Sequence, residues 1–200
     1  IVMKDLGTIY SAYKKNERPN LDEPPSFADY ALQHRDFLHT AEYRRIESYW
    51  LEQFKGPVPV LDIPTDFVRQ ALRTYKSRRD DFQLNSELVA KTKKLGASVG
   101  CSFVTTLIVA FETLLYRLSG QKEIILGIPS AGQSAEGNYG LVGHCANLLP
   151  IRSRHEGENT FKDFLQLRKS EIFEAYENRE YTFGTLLKNS ILGGMDHVCL

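Results

Sequence analysis

The sequence lacks an excess of charge of either sign and shows no pattern of paired cysteines. Lys and Arg together number 25, as do Asp and Glu. A neutral chain has no broad field that attracts nucleic acid or an anionic membrane surface, so any partner has to be recognised at a specific site. Cys101, Cys145 and Cys199 lie far apart and have no metal-ligand spacing. They are typical of buried thiols in a reducing compartment, and they predict neither a disulfide framework nor a zinc site.

Long apolar runs and targeting signals are also scarce. The longest stretch without a charged residue, 95–111, contains Gly, Ser and Thr and is too short and polar for a confident membrane span. The first residues show no secretory cleavage pattern. With 42% apolar and 25% charged residues the composition is globular. We therefore expect a soluble, cytoplasmic protein.

The common catalytic signatures are absent as well. The sequence contains no G-x-S-x-G, no Walker loop, no H-E-x-x-H and no G-x-G-x-x-G. Taken alone, the residues therefore name no reaction.

What the sequence does contain is a regular alternation of helical and strand patterns. Periodicity and capping residues predict helices over 1–15, 40–54, 86 to about 95, from Ser102 to the stop at Gly120, from Asn159 or Thr160 through Tyr176, and over 182–192. Strands are predicted at 80–84, 123–128 and 148–152. The segment 27–37 brings aromatic residues and one polar turn. Together these patterns predict an α/β protein with two layers.

Several polar residues stand beside the predicted strands. The loop 127–134 is small and polar, and Gly127 and Gly132 would let its backbone approach a ligand, although an ordinary strand-exit loop is the more common explanation. His144 is the histidine with the best context for a general base, but no nearby carboxylate orients it. Asn147 and Arg152 bracket a strand and are best explained by structural bonds, to backbone and to a carboxylate.

Five segments, in order, resemble one family. The run 27–32, F-A-D-Y-A-L, resembles the Y-x-D-Y-A-V/L motif of condensation domains from nonribosomal peptide synthetases, with Phe27 in place of the first Tyr. The runs 49–56 and 60–66 are similar to that family's Y-W…G-x-P-x-L-x-L-P-T-D crossing. The usual R-P-R-P continuation is replaced by 67–70, F-V-R-Q, so the assignment of Asp66 to a salt bridge with an arginine stays open.

The other two segments lie further along the chain. Residues 142–147 and Arg152 match I-G-x-F-V-N-T-x-x-x-R at the Gly, Asn and Arg positions. The run 178–183, N-R-E-Y-T-F, is similar to H/N-Q-D-Y-P-F. The later R-D-x-S-R-N-P-L motif is absent.

The resemblance implies a fold related to chloramphenicol acetyltransferase, in which two lobes, each a mixed sheet with helices, face each other across a tunnel. On this basis 1–56 would end an amino-terminal lobe, 57–79 would connect the lobes, 80–192 would form a partial carboxyl-terminal lobe, and 193–200 has no assigned role. A lobe without its partner would expose apolar surface, so we expect marginal stability and association.

The resemblance also implies an activity, the formation of an amide (peptide) bond between acyl and aminoacyl thioesters. These substrates are carried on the phosphopantetheine of carrier proteins in nonribosomal peptide or hybrid polyketide biosynthesis. The implied partners are carrier domains, adjacent synthetase modules and the missing amino-terminal lobe, with no nucleic acid, membrane, metal or bound cofactor. The H-H-x-x-x-D-G motif that supplies the catalytic histidine is not in the sequence, so we assign no catalytic residue and expect the chain alone to be inactive.

Two groups of residues follow from the resemblance. Substrate-tunnel candidates are Ser130, Gly132, Gln133, Gly143, His144 and Asn147. Structural motif positions are Asp29, Tyr30, Trp50, Asp66, Asn147 and Arg152. Two alternatives remain open: an epimerisation, heterocyclisation or stand-alone acyltransferase domain of the same fold, and a non-catalytic lobe that only binds carrier proteins.

Overall fold

A computed structural model describes residues 1–68, 74–132, 140–157 and 159–189 of the chain. The described residues form seven helices and two strands. In chain order they are α1 (Val2–Lys14), α2 (Phe27–Phe37), α3 (Ala41–Gln53), α4 (Ser86–Ser98), α5 (Phe103–Ser119), β1 (Glu123–Ala131), β2 (Ala146–Arg154), α6 (Phe161–Glu177) and α7 (Phe183–Asn189).

Local sequence signals fix where most of the helices begin. Six helices start after a residue whose side-chain oxygen accepts a backbone N–H three positions on, which satisfies a donor that the first turn leaves free. These N-caps are Ser26, Thr40, Asn85, Ser102, Thr160 and Thr182. Helix α5 ends at Gly120, which adopts a left-handed φ of 69° that favours glycine.

The two strands form one antiparallel sheet. The His155 N–H donates to the Lys122 carbonyl at one end of the ladder, and the Gly132 N–H donates to the Cys145 carbonyl at the other. This register brings the end of β1 beside the start of β2. Residues on either side of the 133–139 segment therefore become neighbours.

The chain divides into two compact units. The described residues of Ile1–Lys55, Ile128–Leu149 and Asn178–Ile191 form the first unit, and those of Gly56–Gly127 and Pro150–Glu177 form the second. The first unit has a core of aromatic and aliphatic side chains from α3, β2, α7 and the segment before α7, including Ile46, Trp50, Leu149, Tyr181 and Leu186. Burial of such side chains stabilises a fold by about 1.5–3 kcal/mol each.

The core of the second unit lies between α5, α6 and the strand residues that belong to this unit. Val109, Leu115, Ile151, Phe164 and Ile172 are almost completely buried. A charged pair shares this core. Both Arg168 and Glu112 have at most 1% of their surface exposed, and the guanidinium donates two hydrogen bonds of 2.8 and 2.9 Å to the carboxylate.

Most of the predicted elements are confirmed, with three differences. The prediction of a strand at 80–84 is wrong: these residues form no regular structure, and Phe82 is 91% exposed because no neighbouring strand pairs with them. The segment 27–37, predicted only as a turn with aromatic residues, is helix α2. Strands β1 and β2 extend beyond their predicted ends. The predicted last helix is α7, and residues 190–192 of that prediction lie outside the described residues.

Two helices carry apolar stripes that face solvent. Along α1 and its N-cap the apolar side chains of Ile1, Leu6, Ile9, Tyr10 and Tyr13 are exposed, and Ala12 is the buried residue of that helix. A second stripe on α5 has the spacing of a heptad seam. It consists of Val104, Leu107, Phe111, Leu114 and Leu118, each 37–58% exposed.

No single helix in the described part of the chain is long and apolar enough to cross a membrane. Taken together α4 and α5, which meet at a bend of 99°, reach the required length and composition.

Candidate functional site

The first unit contains a cavity of about 420 Å³ that brings four separate stretches of sequence together. Its lining comes from α2, the end of β1, the start of β2, and the residues just before α7. A larger cavity of about 850 Å³ lies in the second unit between α5 and α6. We favour the smaller one because several polar groups and most of the predicted tunnel residues converge on it, as ligand sites require.

One wall of the cavity is a row of rings on α2. Phe27, Tyr30 and His34 lie three and four residues apart and so share a face of the helix. Their ring centroids are 5.8 Å apart for Phe27 and Tyr30, and 6.4 Å apart for Tyr30 and His34. Ser26 fixes the start of the helix as its N-cap, because its hydroxyl accepts the Asp29 N–H.

Two glycines let backbone and rings approach each other closely. A Cβ at Gly143 would overlap the ring of Phe27. A Cβ at Gly132 would overlap the Cys145 carbonyl oxygen and lie 3.2 Å from the Tyr30 hydroxyl. A side chain at Gly143 would therefore displace Phe27 of α2, and one at Gly132 would displace the backbone at Cys145.

The strand ends contribute small residues to the lining. Ser130, Gly132, Cys145 and Ala146 line the cavity, as does Ala31 on the ring-bearing face of α2. The Gly132 N–H donates to the Cys145 carbonyl at 2.9 Å, which fixes this corner of the sheet. Ser130 is only 7% exposed.

Asn147 ties the residues before α7 to the sheet. Its side-chain amide donates to the carbonyl oxygens of Arg179 and Tyr181, at 2.7 and 2.9 Å. Its side-chain oxygen accepts the N–H groups of Leu148 and Phe183. Asn147 therefore positions the segment 179–183, which carries Arg179, Glu180 and Thr182 into the cavity wall.

A second anchor of this segment comes from α3. The indole N–H of Trp50 donates to the Asn178 carbonyl at 2.7 Å, and the Tyr181 hydroxyl donates to Glu47 at 3.2 Å. The ring of Tyr43 packs against that of Tyr181, with centroids 5.6 Å apart. The segment is thus held from β2 and from α3 at once.

The structure places most of the predicted tunnel residues together. Ser130, Gly132, His144 and Asn147 line the cavity, and Gly143 lies against Phe27 at its edge. Gln133 lies outside the described residues. Eight lining residues were not among the site residues predicted from the sequence: His34, Arg179, Glu180, Phe27, Ala31, Cys145, Ala146 and Thr182. The helical spacing of His34 from Tyr30 was the available signal for the first of them. Their roles in binding stay predictions.

The predicted structural positions fall in both units. In the first unit Asp29 lies in the first turn of α2, Tyr30 lines the cavity, and Trp50 is 2% exposed. In the second unit the carboxylate that pairs with Arg152 is Glu123, at 2.8 Å, and Asp66 is exposed and forms no ion pair with any described residue. The guanidinium of Arg152 also donates to the Pro57 carbonyl at 2.7 Å.

The Glu123 carboxylate accepts hydrogen bonds from Arg152 and from Arg154. The hydrogen bond from Arg152 is the main cause of a pKa for Glu123 below the ordinary value of a glutamate, partial burial opposes it, and Arg154 adds to the lowering. The carboxylate is therefore held in its charged form.

The thiols and potential metal ligands of the described residues form no further site. Cys101 and Cys145 are free thiols, and burial raises the pKa of Cys101. Cys199 lies outside the described residues. Among the residues that the structure describes, no three His, Cys, Asp or Glu side chains converge as a metal ion would require.

Comparison with known proteins gives concordant matches in sequence and structure. A family model described as "Condensation domain" matches residues 1–196. Gramicidin S synthase 2 of Brevibacillus brevis is 34% identical over 183 residues, which are 92% of this chain and 4% of that protein. The chain therefore spans a small part of the relative's length.

Two solved structures show a similar fold at low identity. The X-domain from teicoplanin biosynthesis, solved as a complex with OxyB, superposes with a TM-score of 0.80 at 18% identity, over 93% of this chain and 42% of that one. The first condensation domain of the calcium-dependent antibiotic synthetase, with a substrate analogue, gives a TM-score of 0.74 at 17% identity, over 92% of this chain and 40% of that one.

Proposed function

The chain belongs to the condensation-domain family, and on that premise we propose that it is part of an acyltransferase that forms amide bonds in nonribosomal peptide or hybrid polyketide biosynthesis. Its fold is the chloramphenicol acetyltransferase-like fold that the sequence resemblance implied. The proposed substrates are a donor and an acceptor thioester, each carried on the phosphopantetheine of a carrier protein. The donor carbonyl would be transferred to the acceptor amine.

One observation supports this proposal above the others. Three family motifs from distant parts of the sequence, at 27–32, 142–147 and 178–183, meet around the cavity of the first unit. A shared cavity explains why these motifs occur together, because each supplies part of one wall. We infer that the cavity is a section of the substrate tunnel.

The described residues would bind and orient substrate. Asn147 has its amide group occupied by backbone partners, so it acts on substrate through the segment 179–183. His34 and His144 line the cavity, and we assign neither of them a proton transfer. The proposed base is the second histidine of the H-H-x-x-x-D-G motif, which these 200 residues do not contain.

The proposal is tested by separating binding from turnover. The 200-residue chain would be mixed with donor- and acceptor-loaded carrier proteins, with binding followed by NMR and amide product by mass spectrometry. We expect carrier binding without product. A fusion that adds the H-H-x-x-x-D-G half of a related condensation domain should form product, and changing the second histidine of the added motif should abolish it. Product from the chain alone, or no carrier binding at all, would contradict the proposal.

A non-catalytic binding lobe is the second candidate. It is favoured by the similarity in fold to the X-domain, whose structure was solved as a complex with another protein. This alternative predicts that carrier binding persists while the fusion remains inactive. Epimerisation and heterocyclisation domains of the same fold would be distinguished by the product: an inverted α-carbon or a ring in place of an amide.

A further inference from the structure

The small residues that line the first-unit cavity include one serine whose hydroxyl bonds to no described residue. Ser130 is more than nine-tenths buried and lines the cavity, and its side chain has no hydrogen-bond partner among the described residues. The oxygen of this hydroxyl is not among the fully buried polar atoms of the described residues, so it remains accessible from the cavity. A ligand group that donates or accepts a hydrogen bond would therefore have a partner in Ser130.

The wall of rings on α2 points to the body of that ligand. Phe27, Tyr30 and His34 present a row of rings to the same space. Aromatic rings prefer to pack against other rings in offset or edge-on arrangements, which adds to the gain from burying their area. Cys145 lines the same cavity with a small side chain, which a larger residue would extend into this space.

The charges in the lining argue against an ionic ligand group. The Arg179 guanidinium lies 3.8 Å from the Glu180 carboxylate, so the two charges offset each other. A cation or anion brought into the cavity would lose its hydration without a matching unpaired charge from these two residues. The ligand group that fits is uncharged.

We propose that this cavity selects the side chain of a carrier-bound aminoacyl group, and that it takes an uncharged aromatic side chain with one hydrogen-bonding atom, such as a phenol. In this assignment Ser130 bonds the polar atom of the ring, and Cys145 sets the size that is admitted. The inference rests on the proposed function, because it assumes that the cavity is part of the substrate tunnel. It goes further in naming the substrate class and the two residues that select it.

The test uses stable pantetheine amides of tyrosine, phenylalanine and glutamate, with pantetheine alone as a fourth probe. Binding to the 200-residue chain would be measured by calorimetry or NMR titration. We expect the tyrosyl probe to bind at least about tenfold more tightly than the phenylalanyl probe, since only the first satisfies Ser130. The glutamyl probe should bind no better than pantetheine.

Two variants assign the selectivity to its residues. Ser130→Ala should make the tyrosyl and phenylalanyl probes bind equally. Cys145→Phe should abolish the binding of both aromatic side chains and leave pantetheine binding unchanged. Ser153→Ala is the matched control, because Ser153 is a buried serine of β2 that does not line the cavity. It should retain the preference, and thermal melts would verify that each variant is folded.

The outcomes separate the two proposals. Equal binding of the tyrosyl and phenylalanyl probes to the unaltered chain, or a preference that survives Ser130→Ala, overturns the selectivity assigned here. If pantetheine does not bind but the preference for the tyrosyl probe persists, the assignment of the cavity to a substrate tunnel is wrong and the selectivity of the cavity is supported. If no probe binds, both are wrong.

Discussion

Gly143 shows how closely single residues control the candidate site. Any side chain at this position would meet the ring of Phe27, and both residues belong to motif segments. We expect Gly143→Ala to lower the free energy of unfolding by about 1–3 kcal/mol, the usual cost of overpacking. Gly7→Ala is the control. A Cβ at this position meets nothing within 4 Å, and the change replaces a glycine inside helix α1 with a better helix former. It should be neutral or stabilising by up to about 1 kcal/mol. Urea titrations of the two variants measure the difference.

The buried ion pair of Arg168 and Glu112 in the core of the second unit allows a second prediction about stability. Glu112→Gln would leave the buried guanidinium of Arg168 with a neutral partner in place of Glu112 and with Glu171 as its remaining carboxylate, and we expect a loss of about 1–3 kcal/mol in the free energy of unfolding. The double variant with Glu112→Leu and Arg168→Met should lose less free energy of unfolding than the sum of the losses in the Glu112→Leu and Arg168→Met single variants. The exposed pair Lys91–Glu87 is the control, and Glu87→Gln should change stability by less than about 1 kcal/mol. Additivity of the core substitutions would contradict this account.

Glu123 gives the pH dependence of the second unit. The pKa of Glu123 in the folded chain is lowered, mainly by the hydrogen bond from Arg152. The charged carboxylate therefore contributes its full stabilisation at any pH above the ordinary glutamate pKa. This stabilisation is lost as the pH falls through the lower pKa of the folded state. Denaturant midpoints measured near pH 7 and near pH 3 should differ less in Glu123→Gln than in the unaltered chain. Glu156→Gln, at an exposed residue outside the ion pair, should keep the full difference.

At the scale of elements, the side chain of Gln121 binds the backbone of the proline-rich segment 57–64 that follows α3. The Gln121 amide donates to the Val60 carbonyl at 2.9 Å and its oxygen accepts the Asp62 N–H at 2.8 Å, so it acts like a strand partner. Gln121→Ala should speed hydrogen exchange of the Asp62 amide by about tenfold. Gln121→Glu keeps the acceptor for the Asp62 N–H but loses the donor to the Val60 carbonyl, so it should also speed exchange of the Asp62 amide. Gln33→Ala, an exposed change on α2, should leave that amide unaffected; an unchanged rate in Gln121→Ala would contradict the clamp.

The elements also show what the sequence predicts and where it stops. Helix α5 was predicted with both ends correct because its cap, its periodicity and its stop at Gly120 are all local. Helix α2 was missed although Ser26 and Asp29 form a local start signal, since its dense aromatic content obscures the helical period. The strand predicted at 80–84 failed because alternation alone does not supply a neighbouring strand. A strand depends on a partner that the local sequence does not contain.

The candidate site was predictable in part for the same reason. The motif resemblance picked out Ser130, Gly132, His144 and Asn147, and these residues do line one cavity. It did not reveal that Arg179 and Glu180 join them, because this depends on the bonds from Asn147 to backbone more than 30 residues away. Contacts of such sequence separation require the folded sheet.

At the scale of the whole molecule, the exposed apolar stripes govern behaviour in solution. The seam on α5 offers five large side chains at heptad spacing, and contiguous surface of this kind favours association. We expect sedimentation to show concentration-dependent association. The double change Phe111→Lys and Leu114→Lys should reduce it without loss of helix, since lysine favours helices. Gln33→Lys adds charge outside the seam and should change nothing. A compact monomer at every concentration would rule out this prediction.

The chain has one tryptophan, and its position provides an optical reporter. Trp50 lies in the first unit, sealed from water, with its indole bonded to the Asn178 carbonyl. Its emission should shift to longer wavelength when the segment before α7 detaches, and it reports directly on that unit alone. Circular dichroism sums helices of both units. Comparing the two signals during heating would therefore show whether the units melt together or in sequence, with no label attached.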